Sequence, residues 1–133
     1  MLYKSHPPLR VLIADDHELI RFSLKSAFQR HPQIDLLGMA ENGQEAVDMV
    51  LKYRPDVIVI DLQMPVMDGL SASNQIKLVA PHTQIVAYSS VQDPQVEVMV
   101  QTAKIDAFCD KDTPIQDLID TVLRLGQQSA NRS

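Results

Sequence analysis

The run Val57-Ile58-Val59-Ile60, followed at once by Asp61, constrains the fold of this chain more than any other stretch. Four β-branched residues without polar alternation suit a strand covered on both faces, as in a parallel sheet between helical layers. Comparable apolar runs stand at Arg10 to Ala14, Asp35 to Ala40, Ile85 to Tyr88 and Ile105 to Cys109. Amphipathic stretches near 17–31, 43–53, 70–80, 94–103 and from 114 to about 126 separate and follow them, and read as helices. In the last one, Ile115, Leu118, Ile119, Val122 and Leu123 fall on one helical face. Thr113 stands where it can cap that helix, and Pro114 takes a first-turn position where no amide is missed. The alternation predicts an α/β fold of (βα)5 type, with right-handed crossovers covering both faces of one open parallel sheet. We expect one domain over residues 9–126, with 1–8 and 127–133 as flexible termini.

Charge and composition narrow the function. Twelve basic against seventeen acidic residues leave a net charge of -5, which argues against direct nucleic-acid binding, since that rests on clustered Lys and Arg. No apolar run approaches the roughly 18 residues of a membrane span, and the start MLYKSHPPLR lacks the apolar core of a signal peptide. The expected setting is the cytoplasm, away from membranes. Cys109 is the only cysteine and reads as a small buried strand residue. His6, His17, His31 and His82 have no zinc-site spacing, and His17 reads as a helix-start residue rather than a ligand.

An open parallel sheet binds ligands at the carboxyl ends of its strands. Asp15 and Asp16 end the first run, Asp61 the third, Ser89 and Ser90 the fourth, and Lys111 follows the fifth. A single such Asp is commonly no more than a helix cap. Several polar residues on one rim describe a site. Clustered carboxylates repel and call for a cation, and an oxygen donor set without thiolate or paired imidazole favours Mg²⁺. A carboxylate beside such a cation can accept a phosphoryl group, while a lysine and a hydroxyl bind its oxygens.

The acidic pair after the first strand, the pattern D-x-x-M-P-x-M-D-G over Asp61 to Gly69, the serine after the fourth strand and the lysine after the fifth resemble the receiver domains of two-component response regulators. Asp15-Asp16-His17 followed by Leu19-Ile20-Arg21 is most similar to receivers attached to LuxR-type helix-turn-helix domains. The resemblance spans residues 9 to 126. It implies a flavodoxin-like three-layer fold with sheet order 2-1-3-4-5 and a phosphoacceptor switch with Asp61 phosphorylated by a histidine kinase or phosphotransfer protein. It further implies Mg²⁺ held by Asp15, Asp16, Asp61 and the main-chain carbonyl of Gln63, phosphoryl contacts from Ser89 and Lys111, and a switch made of Ser89 and Phe108. Ser90 competes for the serine role, and register favours Ser89. The protein would be no metabolic enzyme, though it would catalyse its own phosphorylation and dephosphorylation.

Two other readings stay open. A degenerate receiver would bind partners without phosphate, and an aspartyl-phosphate phosphatase would want a second acid where Gln63 stands. On the first helix, Ile20, Leu24, Ala27 and Phe28 share one arc while Phe22 projects away from it. In the resemblance, helices one and five form a candidate homodimer or docking surface, which would give an outward Phe22 a use.

Overall fold

Every apolar run becomes a strand of one sheet in the computed structural model, which describes residues 7–131. The order along the chain is β1 (Leu9–Ala14), α1 (Glu18–Gln29), β2 (Ile34–Ala40), α2 (Gly43–Tyr53), β3 (Val57–Ile60), α3 (Gly69–Val79), β4 (Gln84–Ser89), α4 (Pro94–Thr102), β5 (Ala107–Asp110) and α5 (Ile115–Asn131). All strand pairs are parallel, in the order β2-β1-β3-β4-β5. No helix among the described residues is long and apolar enough to cross a membrane.

The unbroken apolar strands follow from two-sided burial. Val57 and Val59 join Val11, Ile13, Val86 and Tyr88 beneath Leu24 and Phe28 of α1 and Leu118, Ile119 and Val122 of α5. Ile58 and Ile60 face the other way, with Leu12, Ala14 and Ile85 against Ala46 and Val50 of α2 and Ala72 and Ile76 of α3. Each such side chain contributes about 1.5–3 kcal/mol on burial, so β3 contributes roughly 6–12 kcal/mol before entropy is counted. A polar residue on either face of β3 would forfeit its share.

Three local expectations change. The last strand begins at Ala107, two residues later than its apolar run, because the carboxylate of Asp106 accepts the Ile85 amide at 2.7 Å where a backbone carbonyl would otherwise extend the ladder. Lys77 pairs with the same oxygen at 2.7 Å. Thr113 does not cap α5 with its hydroxyl, which instead donates to the Asp110 carbonyl at 2.7 Å. The last helix also passes the expected end near 126 and continues to Asn131, since Gln127, Gln128 and Ala130 propagate a helix well. Residues 1–6 and 132–133 of the expected termini lie outside the described residues.

The amino edge of the sheet is tied by side chains bonded to backbone. The Arg10 guanidinium donates to the Tyr53 and Arg54 carbonyls at 2.6 and 2.8 Å, closing the end of α2. Thr83 donates to the Pro55 carbonyl at 2.9 Å, and Lys77 to the Thr83 carbonyl at 3.0 Å.

One loop residue is strained. Val66, between β3 and α3, has φ 68°, and the Met67 amide bonds back to the Pro65 carbonyl at 2.7 Å, a tight three-residue turn. A β-branched residue is a poor occupant of positive φ. Its side chain is 85% exposed, so packing does not offset the strain. Val66→Gly is expected to raise the unfolding free energy by about 1 kcal/mol, the relief of strain outweighing the added chain entropy. Urea denaturation measures it, and a loss of stability would refute the strain.

Candidate functional site

The parallel register brings the rim residues together. Ala14 pairs with Ile60, so Asp15 and Asp61 leave adjacent strands side by side, and their amides extend the ladder to Ala40 and Ala14 at 3.0 and 2.9 Å. Ser89 ends β4 opposite Asp110, with the Lys111 amide bonded to the Ser89 carbonyl at 3.0 Å. Four strand ends thus face one crevice. Asp15 and Asp61 are buried within it, while Asp16 is exposed at its mouth.

Asp61 lies at the centre. Its Oδ1 accepts the Ser89 hydroxyl at 2.7 Å and the Gln63 amide at 3.1 Å, and its Oδ2 accepts the Lys111 ammonium at 3.1 Å. The Ser89 oxygen also accepts the Leu62 amide at 2.9 Å. Register therefore aims Ser89 at Asp61, whereas Ser90 uses only its backbone, its carbonyl accepting the Asp93 amide at 3.3 Å. Lys111 also reaches Asp15 Oδ2 at 2.8 Å. Burial pushes the lysine pKa down, but the hydrogen bond to Asp15 and the charges of Asp61 and Asp15 outweigh it, and the net shift is upward. Folding thus favours the charged ammonium. Its support of the fold is complete below the ordinary lysine value of about 10.5 and is lost as pH climbs through the higher folded value.

Charge balance decides what else the crevice takes. One ammonium cannot neutralise the carboxylates of Asp15, Asp16 and Asp61. Asp15 Oδ2 is buried and has the Lys111 ammonium, at 2.8 Å, as its one close partner among the described residues. Asp15, Asp16, His17 and Asp61 each offer a ligand atom, all within 4.8 Å of one another. A buried, under-satisfied oxygen among several anionic oxygens fits a hard divalent cation. The Gln63 carbonyl accepts no hydrogen bond among the described residues, while its side-chain amide donates to Gln95 of α4 at 2.9 Å.

Phe108 lies on β5, partly buried against Leu62, Ala87 and Val96. Gly69 serves close packing: a Cβ there would stand 2.0 Å from the Asp61 carbonyl oxygen. Two participants escaped the sequence reading. His17 is the N-cap of α1 but caps nothing with its side chain; its Nδ1 lies 2.8 Å from Asp15 Oδ1 and 3.3 Å from Asp16 Oδ1. Arg21 donates to the Asp15 carbonyl at 2.8 Å and stands 3.9 Å from Glu41, tying the first loop down. The adjacency Asp15-Asp16-His17 was the available signal for the first.

A doubly wound sheet with acidic residues, a serine and a lysine at its carboxyl rim defines a flavodoxin-like receiver module. The chain belongs to the response regulator receiver domain family, whose model matches residues 11–123. It is 30% identical over 116 residues to the response regulator protein VraR of Staphylococcus saprophyticus, a match covering 86% of this chain and 55% of that one. The chain thus spans about half the length of that relative. Among solved structures it is similar to the receiver domain of the putative response regulator NarL from Mycobacterium tuberculosis, with a TM-score of 0.82 and 25% identity, covering 92% of this chain and 98% of that one. A LuxR-family DNA-binding response regulator from Staphylococcus aureus shares the fold, with a TM-score of 0.81 and 22% identity over 89% of this chain and 98% of that one. The chain is therefore a receiver domain of the two-component response regulator type.

Proposed function

We propose that Asp61 accepts a phosphoryl group from the phosphohistidine of a kinase or phosphotransfer protein in the cytoplasm. The observation that carries this reading is a buried carboxylate at a strand end, bonded to both Ser89 and Lys111. A carboxylate oxygen of Asp61 attacks phosphorus, the P–N bond breaks, and its electron pair leaves with the imidazole. Lys111 neutralises a phosphoryl oxygen. Asp15, Asp16, Asp61 and the Gln63 carbonyl would hold Mg²⁺, which supplies charge neutralisation for the transferring group. The backbone bonds of Asp61 to Ala14 and of Gly69 to Leu62 hold the nucleophile in place, at 2.9 and 2.8 Å.

Signalling then depends on competition for one hydroxyl. The Ser89 hydroxyl now serves Asp61 itself, and a phosphoryl oxygen on that carboxylate offers a stronger acceptor. Transfer of the bond draws Ser89 away from the Leu62 amide and opens space beside Ala87, into which Phe108 turns. The active arrangement gains population only through such differential contacts.

Intact mass after incubation with acetyl phosphate and Mg²⁺ tests the reading. One added phosphoryl group, absent when EDTA replaces Mg²⁺, is the expected result. No gain with Mg²⁺ would favour a degenerate receiver. Mg²⁺ at ten times its dissociation constant should also raise the melting temperature by about 4 °C, through preferential binding to the folded state. Asp16→Asn is expected to blunt that rise, and a wild-type melting curve flat across a Mg²⁺ titration would count against the acidic site.

The α1–α5 face suits a homodimer. Phe22 is 70% exposed there, at an open groove of about 450 Å³ that Ser26, Arg30, Ile115 and Ile119 also line. An aromatic anchor beside a groove is the kind of residue that dominates a contact. Phe22→Glu is expected to weaken self-association at least tenfold without altering Asp61 phosphorylation, as sedimentation would show. A wild-type monomer with and without phosphorylation would remove the dimer.

A further inference from the structure

His17 is the one imidazole that reaches the acidic crevice among the described residues, and its position exceeds what a helix-start residue needs. Its backbone amide already bonds to Asp15 Oδ1 at 2.9 Å, yet the ring turns back so that Nδ1 lies 2.8 Å from the same oxygen. Nδ1 also stands 3.3 Å from Asp16 Oδ1 and 3.8 Å from Asp61 Oδ2. No other basic side chain among the described residues comes within 4 Å of all three carboxylates.

These separations resemble those between ligands of one ion. Bonds near 2.1 Å in an octahedron put adjacent donors about 3.0 Å apart and opposite donors about 4.2 Å apart. The 2.8 Å contact, now a hydrogen bond, would open by a few tenths of an ångström, and the ring is exposed enough to move. Asp15 Oδ2, buried and with Lys111 at 2.8 Å as its close partner, keeps a lone pair that an ion in the same crevice can use. Charge agrees as well. Lys111 and a divalent cation together balance three carboxylates, leaving the imidazole to serve as a neutral donor.

The geometry points to His17 Nδ1 as an additional protein ligand, which raises this crevice's affinity for divalent first-row transition ions relative to Mg²⁺, with Mn²⁺ as the spectroscopic probe of the class. This rests on the proposed cation site at Asp15, Asp16 and Asp61. Mg²⁺ gains little from a nitrogen donor, whereas the first-row transition ions gain from imidazole by an amount that grows from Mn²⁺ along the series to Cu²⁺. Upon binding, the Nδ1–H hydrogen bond to Asp15 is exchanged for a metal bond, and Nε2 carries the ring proton at the solvent-facing side.

Pulsed EPR of the full chain loaded with Mn²⁺, with and without ¹⁵N-histidine labelling, tests this. The expected spectrum shows directly coordinated nitrogen whose coupling changes on labelling and vanishes in His17→Gln. Competition titrations should show the Mn²⁺ over Mg²⁺ preference falling roughly 10- to 100-fold in that variant. Bound Mn²⁺ without histidine coupling in the labelled wild type overturns the assignment and leaves the cation site standing, whether or not the variant folds. An unchanged preference in a folded His17→Gln also overturns it. No Mn²⁺ binding at all sinks both the assignment and the cation site.

Discussion

Asp61→Asn is expected to abolish phosphorylation by acetyl phosphate completely, the mass staying at that of the bare chain under conditions that fully modify the wild type. The amide matches the carboxylate in shape and can still accept the Ser89 hydroxyl, so the crevice keeps its form. What it lacks is an anionic oxygen able to attack phosphorus, and no neighbouring group can replace it in register. Asp15 ends the adjacent strand but is turned to Lys111 and His17, through Oδ2 and Oδ1 at 2.8 Å each. The same variant should melt higher than the wild type without Mg²⁺, because one of the buried anions sharing Lys111 is gone. Phosphorylation surviving at wild-type level would move the acceptor elsewhere; survival with a lower melting temperature would undo the electrostatic account too.

Gly69→Ala is the largest structural change expected from a single methyl group. The new Cβ would meet the Asp61 carbonyl oxygen at 2.0 Å and the Leu62 Cα at 2.6 Å, both backbone atoms that cannot swing aside. The start of α3 must therefore retreat from β3, stretching the 2.8 Å bond from the Gly69 amide to the Leu62 carbonyl. Overpacking of this kind costs about 3 kcal/mol. Because the clash falls on Asp61 and its neighbour, the phosphorylation rate should fall with stability, unlike in a remote core variant of equal cost. Denaturant melts and acetyl phosphate kinetics on both variants make the comparison. A loss under 1 kcal/mol would mean the loop yields freely.

Much of this was legible in the residues because two-sided burial writes itself plainly. The strand Val57–Ile60 and the helix Gly43–Tyr53 have the bounds their patterns predict. Asp15, Asp61, Ser89 and Lys111 could be grouped on one rim because strand ends of a parallel sheet all point one way. Contacts set by rotamers or by a single competing hydrogen bond were not legible. The turn of the His17 ring depends on a side-chain torsion. The later start of β5 hangs on Asp106 capturing one amide, and Thr113 preferred the Asp110 carbonyl to the helix. The close packing at Gly69 was hidden as well, because a sequence does not display that two backbones touch.

The side-chain ties at the amino edge of the sheet have a consequence for how such a domain diversifies. Arg10, Lys77 and Thr83 fasten helix ends and loops there through bonds that involve no residue of the crevice. Cohesion and chemistry are thus kept at opposite ends of the same strands. A lineage can exchange residues around the acidic rim, altering partner, metal preference or the lifetime of the modified state, while the foundation that keeps the chain folded stays untouched. Amide exchange should record this division, with backbone protons near Arg10 and Thr83 among the slowest of the chain and those of the loops beyond Asp61 and Ser89 among the fastest.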